Sequence, residues 1–208
     1  MVCHSTDDDG SNHIHFFVPY QRDHQYLNNC PGTAQPGFDA WFANGGGSYY
    51  NPSFAVQNID GLEDGNHIFQ ANSTYGNYST ALIGNYSIAW IKKVGKAAKV
   101  PGGKPFFAYI APKAAHAPFQ PALWYNEYWS PDWPATSPRP PSWNLTSEQL
   151  AHHHPTVAAN VPLTHTVANC IDTAFKNRWR TLMSVDDIIA DVIGTVDDLG
   201  LLSTTYFL

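Results

Sequence analysis

Phe106-Phe107-Ala108-Tyr109-Ile110, continuing into Ala111-Pro112-Lys113-Ala114-Ala115-His116-Ala117-Pro118-Phe119, is the stretch on which the fold turns. Five successive apolar residues, bounded by Pro105 and Pro112, are too few for a helix and lack its periodicity. They predict a strand covered on both faces, as in a parallel sheet. Upstream, Pro101-Gly102-Gly103 predicts a turn. Before it, Leu82, Ile83, Tyr86, Ala89, Trp90 and Val94 recur at helical spacing, with Ser79 or Thr80 as cap and Gly95 as stop. Downstream, residues 111–165 form a long segment dense in proline and tryptophan, with Trp124, Trp129, Trp133 and Trp143. So long an irregular stretch within a domain is uncommon unless it serves a function.

A second helix follows. Leu182, Val185, Ile189, Val192, Val196 and Leu199 alternate steps of three and four, Asp186, Asp187, Asp191, Asp197 and Asp198 fall mostly elsewhere, and Gly200 ends the pattern. Thr204-Thr205-Tyr206-Phe207-Leu208 reads as the start of a strand, cut by the end of the sequence. Near the other end, Ile14-His15-Phe16-Phe17-Val18 predicts a short strand stopped by Pro19, and Tyr49–Asp60 a hairpin among Gly- and Asn-rich turns. The order of helix, strand, long loop, helix and strand predicts an α/β fold with a mainly parallel sheet flanked by helices.

Composition narrows the function. The chain has 208 residues, 43% hydrophobic and only 13% charged, so it can bury a core but carries few charges. A net charge of −6 without a basic stripe argues against nucleic acid as a partner, and no apolar run reaches membrane-spanning length. Cys3, Cys30 and Cys170 leave one disulfide possible without indicating its pairing, and no C-x-x-C occurs. Sequons at Asn72, Asn77, Asn85 and Asn144 lean toward a secretory route, although Met1–Asp7 contains no signal-peptide core.

The candidate chemistry centres on His116. It lies a few residues past the carboxyl end of the predicted strand, where α/β sheets bind ligands. Pro112 and Pro118 stiffen its loop, and Lys113 adds a second potential anion contact. The plainer reading is a loop histidine on a proline-punctuated turn. Other groups have plain readings as well. His152-His153-His154 is a triplet whose neighbours point apart, and His13 and His15 lack an evident third ligand. Asp7-Asp8-Asp9 suits a solvated terminus, and Asp186-Asp187 an exposed helix face. Arg178 and Arg180 suit ion pairs, and the tryptophans either a sugar-stacking wall or loop packing.

Several elements, in order, resemble the sulfatase family, nearest to its glucosamine-6-sulfatase and arylsulfatase branch. Residues 105–119 resemble its "PFF" strand followed by "PHxPF". Tyr26-Leu27-Asn28 is similar to the end of "GKYLN", Pro36–Phe42 to "PGWDxWxA", Tyr49-Tyr50-Asn51 with Asp60-Gly61 to "YYNYTLxxNG", and Phe175–Asp187 to "FRxRWxxLxSVDD". The resemblance implies an alkaline-phosphatase-like α/β fold, incomplete at both ends, with residues 1–19 non-matching and 20–208 a partial catalytic domain. It implies sulfuric ester hydrolysis on sulfated sugars or aryl sulfates and a secreted or lysosomal location. His116 would assist the leaving alcohol, while Lys113 and Gln25 would contact the sulfate. Gln25 stands where the family carries a lysine, so it can donate hydrogen bonds but brings no charge.

Two departures qualify the expectation. The family's formylglycine arises from Cys or Ser in Cys/Ser-x-Pro-x-Arg; Cys30-Pro31-Gly32-Thr33-Ala34 lacks the proline and arginine, and no other segment fits. Its Ca²⁺ is held by paired aspartates after an apolar strand and by a later Asp-Asn-Gly, neither of which occurs here. The chain alone is therefore expected to be inactive: a piece of an active enzyme, or an inactive remnant that binds glycan or nothing. A phosphatase or phosphodiesterase of the same superfamily is the more distant alternative.

Overall fold

The structure, a computed structural model, describes residues 14–18 (backbone only), 37–44, 48–69 and 77–208. Five strands form one sheet: β1 Ile14–Val18, β2 Ala40–Asn44, β3 Ser53–Gln57, β4 Gly65–Ile68 and β5 Phe106–Ile110. Their order is β4-β3-β2-β1-β5. β1 runs parallel to both β2 and β5, with Phe16 opposite Ala40 and Ala108. The β2–β3 and β3–β4 pairs are antiparallel, so the sheet is mixed, with parallel pairing around β1. A hairpin is present, β3–β4, but it lies later than the expected Tyr49–Asp60, its second strand falling wholly beyond Asp60. At its turn Asn58 (φ 55°) takes its main-chain N–H to Asp64 Oδ1 at 2.8 Å.

The strand covered on both faces is β2, not β5. All five β2 residues are buried, Ala40 and Phe42 in the main core and Trp41 and Ala43 in a second cluster with Ala55. In β5 only alternate residues are covered. Phe106, Ala108 and Ile110 pack on the core, while Phe107 and Tyr109 are about half exposed. The difference is positional: β2 has β1 and β3 on its flanks, whereas β5 stands last in the strand order.

Helix α1, Ser79–Ala98, lays Leu82, Ile83, Trp90, Ile91 and Val94 on the sheet. Neither Ser79 nor Thr80 caps it. The N-cap is Tyr78, without a side-chain cap bond, and both hydroxyl residues are buried in the first turn. Gly95 is not the stop either, since the helix continues to Ala98. A Cβ at Gly95 would lie 2.7 Å from Leu199 Cδ1, and one at Gly84 would lie 2.8 Å from Ile188 Cγ1. Gly84 sits where a side chain of a second helix presses against α1, and Gly95 where the turn just beyond that helix does.

Three further helices follow: α2 Ser147–Leu150, α3 Pro155–Ala158 and α4 His165–Asp198. The predicted C-terminal helix is thus far longer, at 34 residues. Its packing side is turned by about one residue from the expected stripe. Ser184, Ile188, Thr195 and Val196 are buried, whereas Leu182 and Ile189 are 43% and 50% exposed. Gly200 does end it (φ 67°): its N–H bonds the Asp197 carbonyl, and the Leu201 N–H bonds the Val196 carbonyl at 3.0 Å. The strand expected at 204–208 does not form. Leu202–Thr204 makes a 3₁₀ turn, and Tyr206 is 92% exposed, since no described strand lies alongside to pair with it. Among the described residues no helix is long and apolar enough to cross a membrane.

The chain divides into two compact units, one of residues 1–114 with 183–208 and one of residues 115–182. The second unit is organised by aromatic packing. Trp133 lies 5.0 Å from both Trp129 and Trp179, and Arg139 stacks 3.9 Å over Trp143. These contacts assign Trp129, Trp133 and Trp143 to loop packing.

Candidate active site

Lys113 follows β5 by three residues, at the carboxyl end of a parallel strand. It is only 7% exposed, and its Nζ lies 4.9 Å above the centroid of the Tyr49 ring. Tyr49 is fully buried in the link between β2 and β3 and stacks on Tyr78, with centroids 5.7 Å apart and planes 15° off parallel. The Tyr49 carbonyl accepts the Ser79 N–H at 2.7 Å, fastening this link to the first turn of α1. Burial, followed by the neighbouring Tyr49, drives the Tyr78 phenol far above the usual tyrosine range. Tyr78 is thus a neutral packing group. The sequence marks Tyr49 only as part of a family-like element, because a cation–π contact with a residue as distant in the chain as Lys113 leaves no local pattern.

His116 belongs to the second unit and is exposed. Its Nδ1 lies 2.7 Å from the Ala117 carbonyl. A carbonyl only accepts, so this bond requires a proton on Nδ1 and fixes the tautomer of the neutral ring. The turn is closed by the Phe119 N–H bonding the His116 carbonyl at 3.0 Å, with Phe119 at φ 55° after a cis Ala117–Pro118 peptide. Arg178 covers the Phe119 ring at 5.5 Å, so it braces this loop through an aromatic face rather than through an acid. Beside the loop, a cleft of about 460 Å³ is lined by Pro118 and by Thr166, Asn169, Cys170, Thr173 and Asn177 of α4. Its lining offers hydroxyls and amides and no charge.

The remaining candidates are dispersed. Gln25, Asn72, His13, Asp7–Asp9 and Cys30 lie outside the described residues. His154 Nδ1 accepts the Thr156 N–H at 3.3 Å and so caps α3, while His152 and His153 are exposed. Asp186 and Asp187 are exposed on α4, and Arg180 Nε donates to the Tyr128 carbonyl at 3.0 Å. Of the sequons, Asn85 is exposed on α1 and Asn77 is half-buried. Asn144 has its amide engaged, donating to the Leu163 carbonyl at 3.2 Å and accepting from the Leu163 N–H. Among the described residues no group of three or more His, Cys, Asp or Glu could hold a metal ion, so those residues do not fit a Ca²⁺ site.

The strand, its loop and the long helix recur together in known proteins. The sulfatase family model matches residues 14–208. The chain belongs to the sulfatase family. Its relatives include human N-acetylglucosamine-6-sulfatase, 27% identical over 192 residues, covering 82% of this chain and 33% of the relative. The Volvox carteri arylsulfatase is 28% identical over 149 residues, covering 64% of this chain and 22% of that one. Sulfatase ppz1 of Metarhizium majus (strain ARSEF 297) is 29% identical over 138 residues, covering 63% and 30%. The crystal structure of the candidate sulfatase yidJ from Bacteroides fragilis superposes with a TM-score of 0.54 at 16% identity, over 94% of this chain and 39% of its own. This likeness supports the alkaline-phosphatase-like fold. The sulfatase chain spans about a third or less of the curated relatives it matches.

Proposed function

We propose that this protein serves sulfuric ester hydrolysis on sulfated sugars or aryl sulfates, with His116 acting on the leaving oxygen. The observation that carries the reading is His116 on the loop that follows a parallel strand, within a sulfatase match that takes in strand, loop and helix. Cleavage of a sulfate ester leaves an alkoxide, which needs a proton or a positive charge beside it. With Nδ1–H donated to Ala117, Nε2 is the nitrogen we assign to that oxygen, and the ring must be doubly protonated to act there, since the neutral tautomer has no proton on Nε2 to give. Lys113 would bind the sulfate, with Gln25 as an uncharged hydrogen-bond donor, and the amide- and hydroxyl-lined cleft beside Pro118 suits a sugar ring.

The formylglycine and Ca²⁺ of the family supply the nucleophile and hold the sulfate when present. This chain has neither the Cys/Ser-x-Pro-x-Arg motif nor, among its described residues, a cluster that fits the metal. The 208-residue chain by itself is therefore expected to release no product from a chromogenic aryl sulfate. If it does, the dependence on missing machinery is wrong. If the flanking genomic sequence encodes Asp-Asp, Cys-x-Pro-x-Arg and Asp-Asn-Gly, the extended protein should be active. In that protein His116→Ala should lower kcat by about 10²- to 10⁴-fold. Flanks without those motifs would favour an inactive glycan-binding remnant.

A further inference from the structure

On an α-helix, positions 166, 169, 170, 173 and 177 fall within an arc of about 100°, so Thr166, Asn169, Cys170, Thr173 and Asn177 form one stripe along α4. The stripe is a wall of the cleft beside Pro118, which stands close to His116 on the same loop and in the same unit. Its hydrogen-bonding groups are available. Among the described residues the Asn169 amide and the Thr166 hydroxyl make no hydrogen bond. Thr173 gives its proton to the Asn169 carbonyl at 2.9 Å and keeps its lone pairs. Asn177 accepts from Arg180 Nη1 at 3.2 Å through Oδ1 and keeps its amide N–H donors. The cleft therefore presents donors and acceptors together, which suits a ring of hydroxyls, each of them both at once. Charge narrows the ligand further. The lining holds no Asp, Glu, Lys, Arg or His. The Lys and Arg residues of the same stretch of helix are engaged elsewhere: Lys176 over Trp129 at 5.6 Å, Arg178 over Phe119 at 5.5 Å, and Arg180 on the Tyr128 carbonyl at 3.0 Å. A carboxylate entering the cleft would shed water and meet no cation. The wall is also held in place, since Arg139 binds Asp172 and Trp133 packs on Trp179.

We infer that this stripe of α4 is a specificity-determining subsite: it holds a sugar ring that carries no charge besides the sulfate ester being cleaved, and it discriminates against a ring bearing a carboxylate. This rests on the sulfate-ester reading proposed for the His116 loop and narrows it. Of the two substrate classes, an aryl group brings no set of hydroxyls to engage the stripe, whereas a neutral sugar does.

The test is an NMR titration of the whole 208-residue chain, isotope-labelled at nitrogen, with three probes. Two are methyl glucoside and methyl glucuronide, each sulfated on the same ring hydroxyl, so that they differ only in a hydroxymethyl against a carboxylate. The third is a chromogenic aryl sulfate. The Asn169 side-chain amide is identified from Asn169→Ala and the His116 ring from His116→Ala. The glucoside sulfate should move both signals, and the aryl sulfate the His116 signal alone. The glucuronide sulfate should bind about threefold or more weakly than the glucoside sulfate. Asn169→Ala should weaken the glucoside sulfate by about two- to tenfold, the loss of one hydrogen bond, with thermal unfolding nearly unchanged. Asn169→Lys should reverse the order of the two sugars, which a merely structural residue would not do. If the glucoside sulfate moves the His116 signal alone, or the two sugars bind equally, the subsite is wrong and the sulfate-ester reading stands. If it moves the Asn169 amide alone, the stripe takes sugar apart from the His116 loop and the inference fails. If it moves neither, the subsite and the reading it rests on are both overturned.

Discussion

Asp172 shows how single side chains tie the proline-rich segment to a helix. It receives both Arg139 Nη2 contacts, at 2.8 and 2.7 Å, together with the Ser137 N–H at 2.9 Å and the Ser137 hydroxyl at 2.8 Å. The Arg139 bonds first, and then the Ser137 N–H, hold its carboxyl down to about 2 from an ordinary 3.8. A carboxyl depressed by folding contributes stability above its unfolded pKa and loses it as the pH falls through the folded one. The melting temperature of the native chain should therefore exceed that of Asp172→Asn at pH 5, and the gap should narrow progressively toward pH 2. A gap that stays constant over that range would show that the clamp does not stabilise through its charge. None of this was apparent in the sequence, where Arg139 and Asp172 are merely two charged residues 33 positions apart. His116 was apparent, because a loop after an apolar run can be read locally.

Among the elements, the contact between α1 and the later half of α4 carries the clearest consequence. Gly84→Ala would gain helix propensity of up to ~1 kcal/mol. It would also force its Cβ to 2.8 Å from Ile188 Cγ1, an inner atom of a buried, β-branched side chain. Overpacking of that kind costs about 1–3 kcal/mol, so a net loss of up to ~2 kcal/mol is expected in denaturant unfolding. In an Ile188→Ala background, Gly84→Ala should cost less than it does in the native chain, because the clashing atoms are gone. Strictly additive losses in this double-mutant cycle would mean that the helices do not meet as described. The positions of both helices were legible from their apolar periodicity. Their contact face was not: the 3.6-residue repeat places Ile189 as readily as Ile188 against a partner, and the partner decides.

For the whole molecule, the four sequons can be tested directly. Expressed with a secretion signal, the chain should acquire N-glycans, with Asn85, exposed on α1, carrying one. Asn144 should be less occupied, since its amide closes two bonds with Leu163 across the second unit. Glycopeptide mass spectrometry reads both sites, and full occupancy of Asn144 in folded material would contradict the structure. In the first unit β2, α1 and α4 share one continuous core, with Phe42 stacked on Phe54 at 4.0 Å and Trp90 set edge-on to Phe106 at 5.9 Å. Replacing Phe42 by Ala at the centre of that core belongs to the class of changes that cost about 3–5 kcal/mol.

By itself the sequence determined the family, the body of α1, the later half of α4, the strand before His116 and the loop that bears it, because each rests on local order: apolar period, proline and glycine punctuation, and collinear motifs. Only the tertiary structure decided that β2 rather than β5 is covered on both faces, that the last five residues form no strand, and that Lys113 rests on Tyr49. The physical reason is common to all three. Burial, strand pairing and cation–π contact depend on which segment lies alongside, and a residue's own neighbours in the chain do not specify what that segment will be.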